Sequence, residues 1–206
     1  MSYNQTRVKI CGITNLEDAL KATELGADAL GFIFYRKSPR YISPKTAGLI
    51  IRELPPFITP VGVFVDEELH KVASTAAETG IRSVQLHGSE PPEYCEQLGL
   101  KAIKAIRVKD RADINRLKSY NVSAYLLDTF KEGVQGGTGE TFDWEIAIEA
   151  KALGRVILSG GLNPENVREA LEKVRPYAVD ASSGLEERPG KKDHARLEKF
   201  MEQIRK

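Results

Sequence analysis

The sequence predicts an α/β fold, a single-domain (β/α)8 TIM barrel of eight parallel strands. Three observations predict it. Eight short apolar runs alternate with longer amphipathic stretches over 206 residues. The runs are greasy throughout rather than alternating, as expected of strands covered on both faces. Polar and reactive residues gather at one end of those runs, which packing alone would not require.

The apolar runs are 7–11, 29–34, 60–65, 83–87, 101–108, 124–128, 155–159 and 177–181. Helical stripes at i, i+3, i+4, i+7 lie between them. Ala47, Ile50, Ile51 and Leu54 make one, and Leu69, Val72, Ala73 and Ala76 another. Val167, Ala170, Leu171 and Val174 repeat the pattern, as do Leu197, Phe200, Met201 and Ile204. Each puts an apolar face on one side of a helix. Thr14 with Glu17 reads as a capping box. Ser43-Pro44 and Asn163-Pro164 each read as a cap residue before a first-turn proline. Gly26, Gly80, Gly99 and Gly154 follow helical patterns and suit the left-handed geometry that ends a helix. Strand followed by helix, eight times over, is the pattern of a parallel sheet with crossover helices. An open doubly wound sheet would share it. The count of eight and the lack of any linker favour a closed barrel and one catalytic domain over 1–206.

Composition narrows the functional classes. Thirty basic and 29 acidic side chains leave a net charge of +1, which gives no general attraction to nucleic acid or an anionic membrane. No segment approaches the roughly 20 apolar residues of a membrane helix. No secretory signal precedes the first strand. Cys11 and Cys95 form no pair and no metal-type cluster with His70, His87 or His194. The expectation is a cytoplasmic protein, without metal or cofactor, that is a monomer or homodimer.

In a barrel of this kind chemistry sits at the carboxyl ends of the strands. There the sequence puts Cys11, His87, Arg107, Asp128, Ser159-Gly160-Gly161 and Asp180 with Ser182 and Ser183. Cys11 precedes a helix start, whose partial positive charge favours a thiolate. It is either a base or nucleophile, or an inert buried thiol. Cys95, inside a helical pattern, reads as inert. Asp128 closes a buried strand, where apolar walls would keep it protonated as a general acid; capping a neighbouring loop is the other reading. Asp180 has serine neighbours and is open to either a functional or a hydrogen-bonding role. His87 either orients a substrate or bonds a loop. Gly160-Gly161 and Ser182-Ser183 follow the seventh and eighth runs, the usual phosphate site of such barrels. Arg40, in a long loop, could clamp a carboxylate in bidentate fashion. Arg36 and Lys37 beside it read as solvated. The glycine-rich segment 129–144 reads as a lid.

Taken together, VKICGIT (8–14), GADALGFIFYRKSPRYIS (26–43), VGVFVD (61–66), VQLHG (84–88), LLDT (126–129), GGTGETFDW (136–144), LSGGLNPENV (158–167) and VDASSGLEERPGKKD (179–193) resemble the signatures of the phosphoribosylanthranilate isomerase family. They occur in the family's order over nearly the whole chain. The resemblance implies a cofactor-free Amadori rearrangement of N-(5-phosphoribosyl)anthranilate to 1-(2-carboxyphenylamino)-1-deoxyribulose 5-phosphate, in tryptophan biosynthesis. It implies Asp128 as general acid at the ribose ring oxygen and Cys11 as general base at C2. It further implies Arg40 on the anthranilate carboxylate, His87 and Asp180 around the substrate, and Gly160, Gly161, Ser182 and Ser183 as the phosphate cradle. Two other readings compete: a different phosphosugar barrel enzyme, disfavoured by the Cys11–Asp128 pairing, and a non-catalytic phosphate-ligand-binding barrel.

Overall fold

The computed structural model describes residues 6–108, 110–129 and 144–205. Eight parallel strands close on themselves in sequence order. They are β1 (Arg7–Cys11), β2 (Ala29–Ile33), β3 (Thr59–Phe64), β4 (Ser83–Leu86), β5 (Lys101–Val108), β6 (Ala124–Thr129), β7 (Val156–Leu158) and β8 (Ala178–Ala181). Closure is direct, since β8 pairs with β1 from Arg7↔Ala178 to Ile10↔Ala181. The helices between them are α1 (Leu16–Glu24), α2 (Pro44–Arg52), α3 (Leu69–Thr79), α4 (Pro92–Gln97), α5 (Ala112–Leu117), α6 (Trp144–Ala150) and α7 (Val167–Val174), with α8 (His194–Arg205) last. No described helix is long and apolar enough to cross a membrane.

Each strand spends its two faces differently. Val8, Ile10, Leu30, Phe32, Val84, Leu86, Leu127, Leu158 and Val179 join helix residues such as Ala19, Val72, Val167, Leu197 and Phe200 in one continuous core. The opposite face forms a smaller cluster inside the ring, built from Ala105, Ala124, Leu126, Ile157 and Ala178. Both faces are therefore covered, which is why the strands read as unbroken apolar runs.

Local signals account for most boundaries. Ser43 caps α2, its side chain accepting from the Thr46 N–H, with Pro44 in the first turn. Gly80 ends α3 at φ 81°. Two starts differ from the sequence expectation. The cap of α1 is Asn15, not Thr14; the Asn15 side chain accepts from the Asp18 N–H. The Thr14 hydroxyl instead donates to the Gly190 carbonyl, a partner 176 residues away. Asn163 does not open α7. Its side chain accepts from the Glu165 and Asn166 N–H groups in a separate turn, and the helix begins at Val167. Of the segment 129–144 read as a lid, residues 130–143 lie outside the described residues.

The sequence reading also overlooked a strap. After β8 a short 3-10 turn (Ser183–Leu185) leads into an antiparallel pair, β9 (Glu186–Arg188) and β10 (Lys191–Lys192). Asp18 of α1 holds its end. Asp18 accepts from the Lys192 N–H at 2.8 Å and from the Lys191 ammonium at 3.0 Å, and lies 2.8 Å from His194 Nε2. Burial works against the Asp18 charge, but these donors and Asn15 outweigh it and hold its pKa below the usual carboxylate range.

Candidate active site

Strand register decides which side chains meet. Lys9 aligns with Asp180 and Ala29, Cys11 with Gly31, Gln85 with Val63 and Ile103, Arg107 with Asp128, and Leu126 with Ile157. Side chains two apart on a strand share a face. The face that carries Leu126 and Ile157 inside the ring therefore also carries Lys9, Cys11, Gln85, His87, Arg107, Asp128, Ser159, Asp180 and Ser182. Of these, Cys11, His87, Arg107, Asp128, Ser159 and Ser182 stand at the carboxyl end. The thiol from the first unit and the carboxyl from the sixth thus face into one mouth.

Cys11 is 5% exposed. A Cβ on Gly31 would lie 2.6 Å from its sulfur, so only glycine on β2 leaves room for it. Burial pushes the thiol pKa up, with Asp180 adding to the rise; Lys9 and Lys192 pull the other way. That differs from the sequence expectation of a helix-favoured thiolate. The first helical residue is Leu16, and Asn15 already occupies the cap, so the sulfur sits in a desolvated pocket and not at the helix end.

Asp128 keeps 26% of its side chain exposed and has His87 Nε2 3.3 Å from Oδ2. The Gln85 amide nitrogen lies 2.8 Å from His87 Nδ1. That contact occupies Nδ1 and leaves Nε2 as the ring nitrogen that faces Asp128. Gln85 itself is 1% exposed. The loop bearing His87 is pinned from below. Glu90 accepts from the Asp66 and Gly88 N–H groups and pairs with the buried Lys104 ammonium at 2.6 Å.

Asp180 is 5% exposed and its two oxygens are engaged, Oδ1 by the Lys9 ammonium at 2.8 Å and Oδ2 by the Ser159 hydroxyl at 3.3 Å. Burial pulls the Lys9 pKa down, yet Asp180 and Cys11 more than offset it and leave it raised. Arg40 reaches the mouth through Gly12, where an added Cβ would meet Arg40 Cδ at 2.8 Å and Ser182 Oγ at 3.0 Å. Its guanidinium is held by Glu186 of the strap, Nη2 to Oε2 at 2.7 Å and Nε to Oε1 at 2.9 Å. Arg40 and Lys192 outweigh burial and keep Glu186 below the ordinary carboxylate range. The Lys192 ammonium completes this unit. It donates to Glu186 at 3.0 Å and to the backbone carbonyls of Cys11 at 2.6 Å and Ser182 at 3.3 Å.

The loops after β7 and β8 touch. A Cβ on Gly184 would fall 2.2 Å from the Leu162 carbonyl oxygen. Gly160 and Gly161 adopt φ of 86° and 67°. The Asn163 and Asn166 amides both donate to the Gly161 carbonyl and so brace that loop. The Ser182 hydroxyl is buried without a hydrogen-bond partner among the described residues. An unsatisfied buried hydroxyl, in a loop that touches the loop carrying Gly160 and Gly161, suits an anion.

Sequence reasoning missed Lys9, Gln85, Glu186 and Lys192. One signal was available for Lys9: Arg7, Lys9 and Cys11 alternate with Val8 and Ile10, a period of two inside a run expected to be greasy on both faces.

A closed ring of eight parallel strands, with its ionisable groups collected at the carboxyl-end mouth, defines the (β/α)8-barrel enzyme class. Within it, the model of the N-(5'-phosphoribosyl)anthranilate isomerase family matches residues 8–203. An N-(5'-phosphoribosyl)anthranilate isomerase from Geobacter sp. strain M21 is 55% identical over 201 residues, 98% of either chain. The crystal structure of phosphoribosyl anthranilate isomerase from Thermotoga maritima superposes with a TM-score of 0.93 at 50% identity, covering 98% of this chain and 99% of that one. A phosphoribosyl anthranilate isomerase crystallised with reduced 1-(o-carboxyphenylamino)-1-deoxyribulose 5-phosphate gives 0.89 at 48% identity, with 98% and 99% covered. The chain belongs to the phosphoribosylanthranilate isomerase family.

Proposed function

We propose that this chain catalyses the cofactor-free Amadori rearrangement of N-(5'-phosphoribosyl)anthranilate to 1-(2-carboxyphenylamino)-1-deoxyribulose 5-phosphate, the isomerase step of tryptophan biosynthesis, as one cytoplasmic catalytic domain acting as a monomer or homodimer. The observation that carries this reading is the register. It sets Cys11 on β1 and Asp128 on β6 facing the same mouth, beside the paired loops after β7 and β8.

The geometry supports the following roles. Asp128 gives its proton to the ribose ring oxygen as the C1–O bond opens, leaving an iminium between C1 and the anilino nitrogen. His87 Nε2 holds Oδ2 and leaves Oδ1 for the substrate. Cys11 then takes the C2 proton. The C–H electron pair becomes the C1–C2 double bond, and the iminium pair returns to nitrogen. The enolamine gains a proton at C1 and loses one from O2 to give the ketone. Acid and base work on different atoms of a C–C–O unit, and two different strands supply them.

Ser182, Ser183, Gly160 and Gly161 bind the phosphate. Arg40 meets the anthranilate carboxylate with the guanidinium face that Glu186 leaves open. Asp180, engaged by Lys9 and Ser159, forms the floor of the substrate site.

Loss of substrate fluorescence on turnover tests the proposal. Cys11→Ser and Asp128→Asn are each expected to lower kcat by about a hundredfold or more, with near-normal folding. Wild-type turnover in either variant would remove that residue's role. A wild-type chain that binds the substrate but never converts it would favour the ligand-binding alternative.

A further inference from the structure

The Lys9 side chain is 4% exposed and its Asp180 partner 6%, so the pair is sealed inside the ring. Burying an ion pair brings little net stability, because desolvation consumes most of the attraction. A lysine here would be an unprofitable way to fill a barrel floor that Ala105, Leu126 and Ile157 fill with apolar groups elsewhere. Lys9 and Cys11 are two apart on β1 and face the same way, above the aligned Asp180 of β8. An ammonium has three protons to donate. Lys9 gives one to Asp180 at 2.8 Å, and the Cys11 sulfur, two residues on along the same inward face of β1, is the next group its charge acts on.

We propose that Lys9 is a positioning residue of this reaction, its buried ammonium serving as the counter-ion of the Cys11 thiolate and Asp180 holding that ammonium in place. The proposal rests on the reading of Cys11 as the base that takes the C2 proton. In that step the proton passes from carbon to sulfur, and Lys9 keeps all three of its own.

The charged groups facing Cys11 leave Lys9 with this task. Asp180 opposes a thiolate. Lys192 favours one, but its ammonium points at the Cys11 and Ser182 carbonyls and at Glu186. Glu186 and Arg40 neutralise each other one layer further out. Lys9 is the buried cation on the sulfur's own face of β1; Arg7, on that face two residues earlier, is exposed and pairs with Asp28, while His87, Arg107 and Asp128 face the mouth from β4, β5 and β6. Without it, a thiol already pushed up by burial would also face the Asp180 carboxylate unscreened.

The ultraviolet absorbance of the thiolate reports the ionisation of Cys11 without substrate, in a Cys95→Ser background that removes the other thiol. Lys9→Met should raise the titration midpoint by about 1–3 pH units, the size of losing a near opposite charge. Its kcat should fall about tenfold or more at neutral pH and recover as pH rises, with KM unchanged. Lys9→Arg should restore both within a few-fold. Lys9→Met leaves Asp180 buried and unpaired, so the double variant Lys9→Met/Asp180→Asn serves where the single one does not fold, and it should still show a raised midpoint. A midpoint that stays at the wild-type value in the folded variants, or a kcat lost equally at every pH, would overturn the proposal. Absence of isomerase activity in the wild type would instead overturn the reading of the reaction, since the titration needs no turnover.

Discussion

Replacing Lys104 with methionine tests how the loop behind His87 is held. Lys104 is 2% exposed and Glu90 4%, with 2.6 Å between ammonium and carboxylate. Methionine fills the same volume but leaves a buried carboxylate without its cation. Breaking such a pair costs about 3–5 kcal/mol. Glu90 keeps the N–H groups of Asp66 and Gly88, which places the loss at the lower end, about 3 kcal/mol. For a chain of this length each kcal/mol moves Tm by about 2–4 °C, so Tm should fall by about 6–12 °C. Urea unfolding at 25 °C gives the free energy and calorimetry the Tm. The double variant Lys104→Met/Glu90→Gln removes the stranded charge while its amide oxygen still accepts from the backbone, and it should recover more than half of the loss. A single-variant loss under about 1 kcal/mol, or a double variant whose loss is the sum of the two singles, would refute the argument.

Arg40→Ala should raise KM by about tenfold, a loss of about 1.4 kcal/mol of binding, with a smaller change in Tm; an unchanged KM for substrate would remove the carboxylate clamp. Gly31→Ala should lower kcat, because its Cβ would lie 2.6 Å from the Cys11 sulfur and 3.1 Å from the Cys11 Cα, and steady-state kinetics checks it. Asp18 and Glu186 have folded-state pKa values below their unfolded ones, so their contributions are present above about pH 4 and vanish as pH falls through the lower folded values. Asp18→Asn should therefore destabilise the chain by about 1–3 kcal/mol at pH 7 and flatten the acid limb of its stability profile; parallel urea titrations at pH 7 and pH 3 would show this as a difference that shrinks with acid.

The strands were legible because their physics is local. Coverage on both faces makes each run apolar, and the eight observed strands agree with the expected ones to within a residue at most ends. The gathering of Cys11, His87 and Asp128 at one mouth was legible because each stands at the carboxyl end of its strand. What escaped the sequence depends on partners far along the chain. Thr14 and Asn15 both bear a capping oxygen, and the choice between them is set by Gly190 on the distant strap. Lys9 looks like any surface lysine until register brings Asp180, 171 residues on, against it. Arg40 was read only as a clamp for a substrate carboxylate, because its Glu186 partner lies 146 residues further on. Lone ionisable residues inside apolar runs are the trace such pairings leave.

The strap and β8 also impose an order on synthesis. Cys11 is made well before Asp180 and Lys192, which close over it. Until the chain has grown past Lys192, the sulfur has neither the β8 wall nor the ammonium that ties down its own carbonyl. A nascent chain halted before β8 is therefore expected to carry an open thiol that alkylating or oxidising reagents reach, and it is the later addition of β8 and the strap that shelters it.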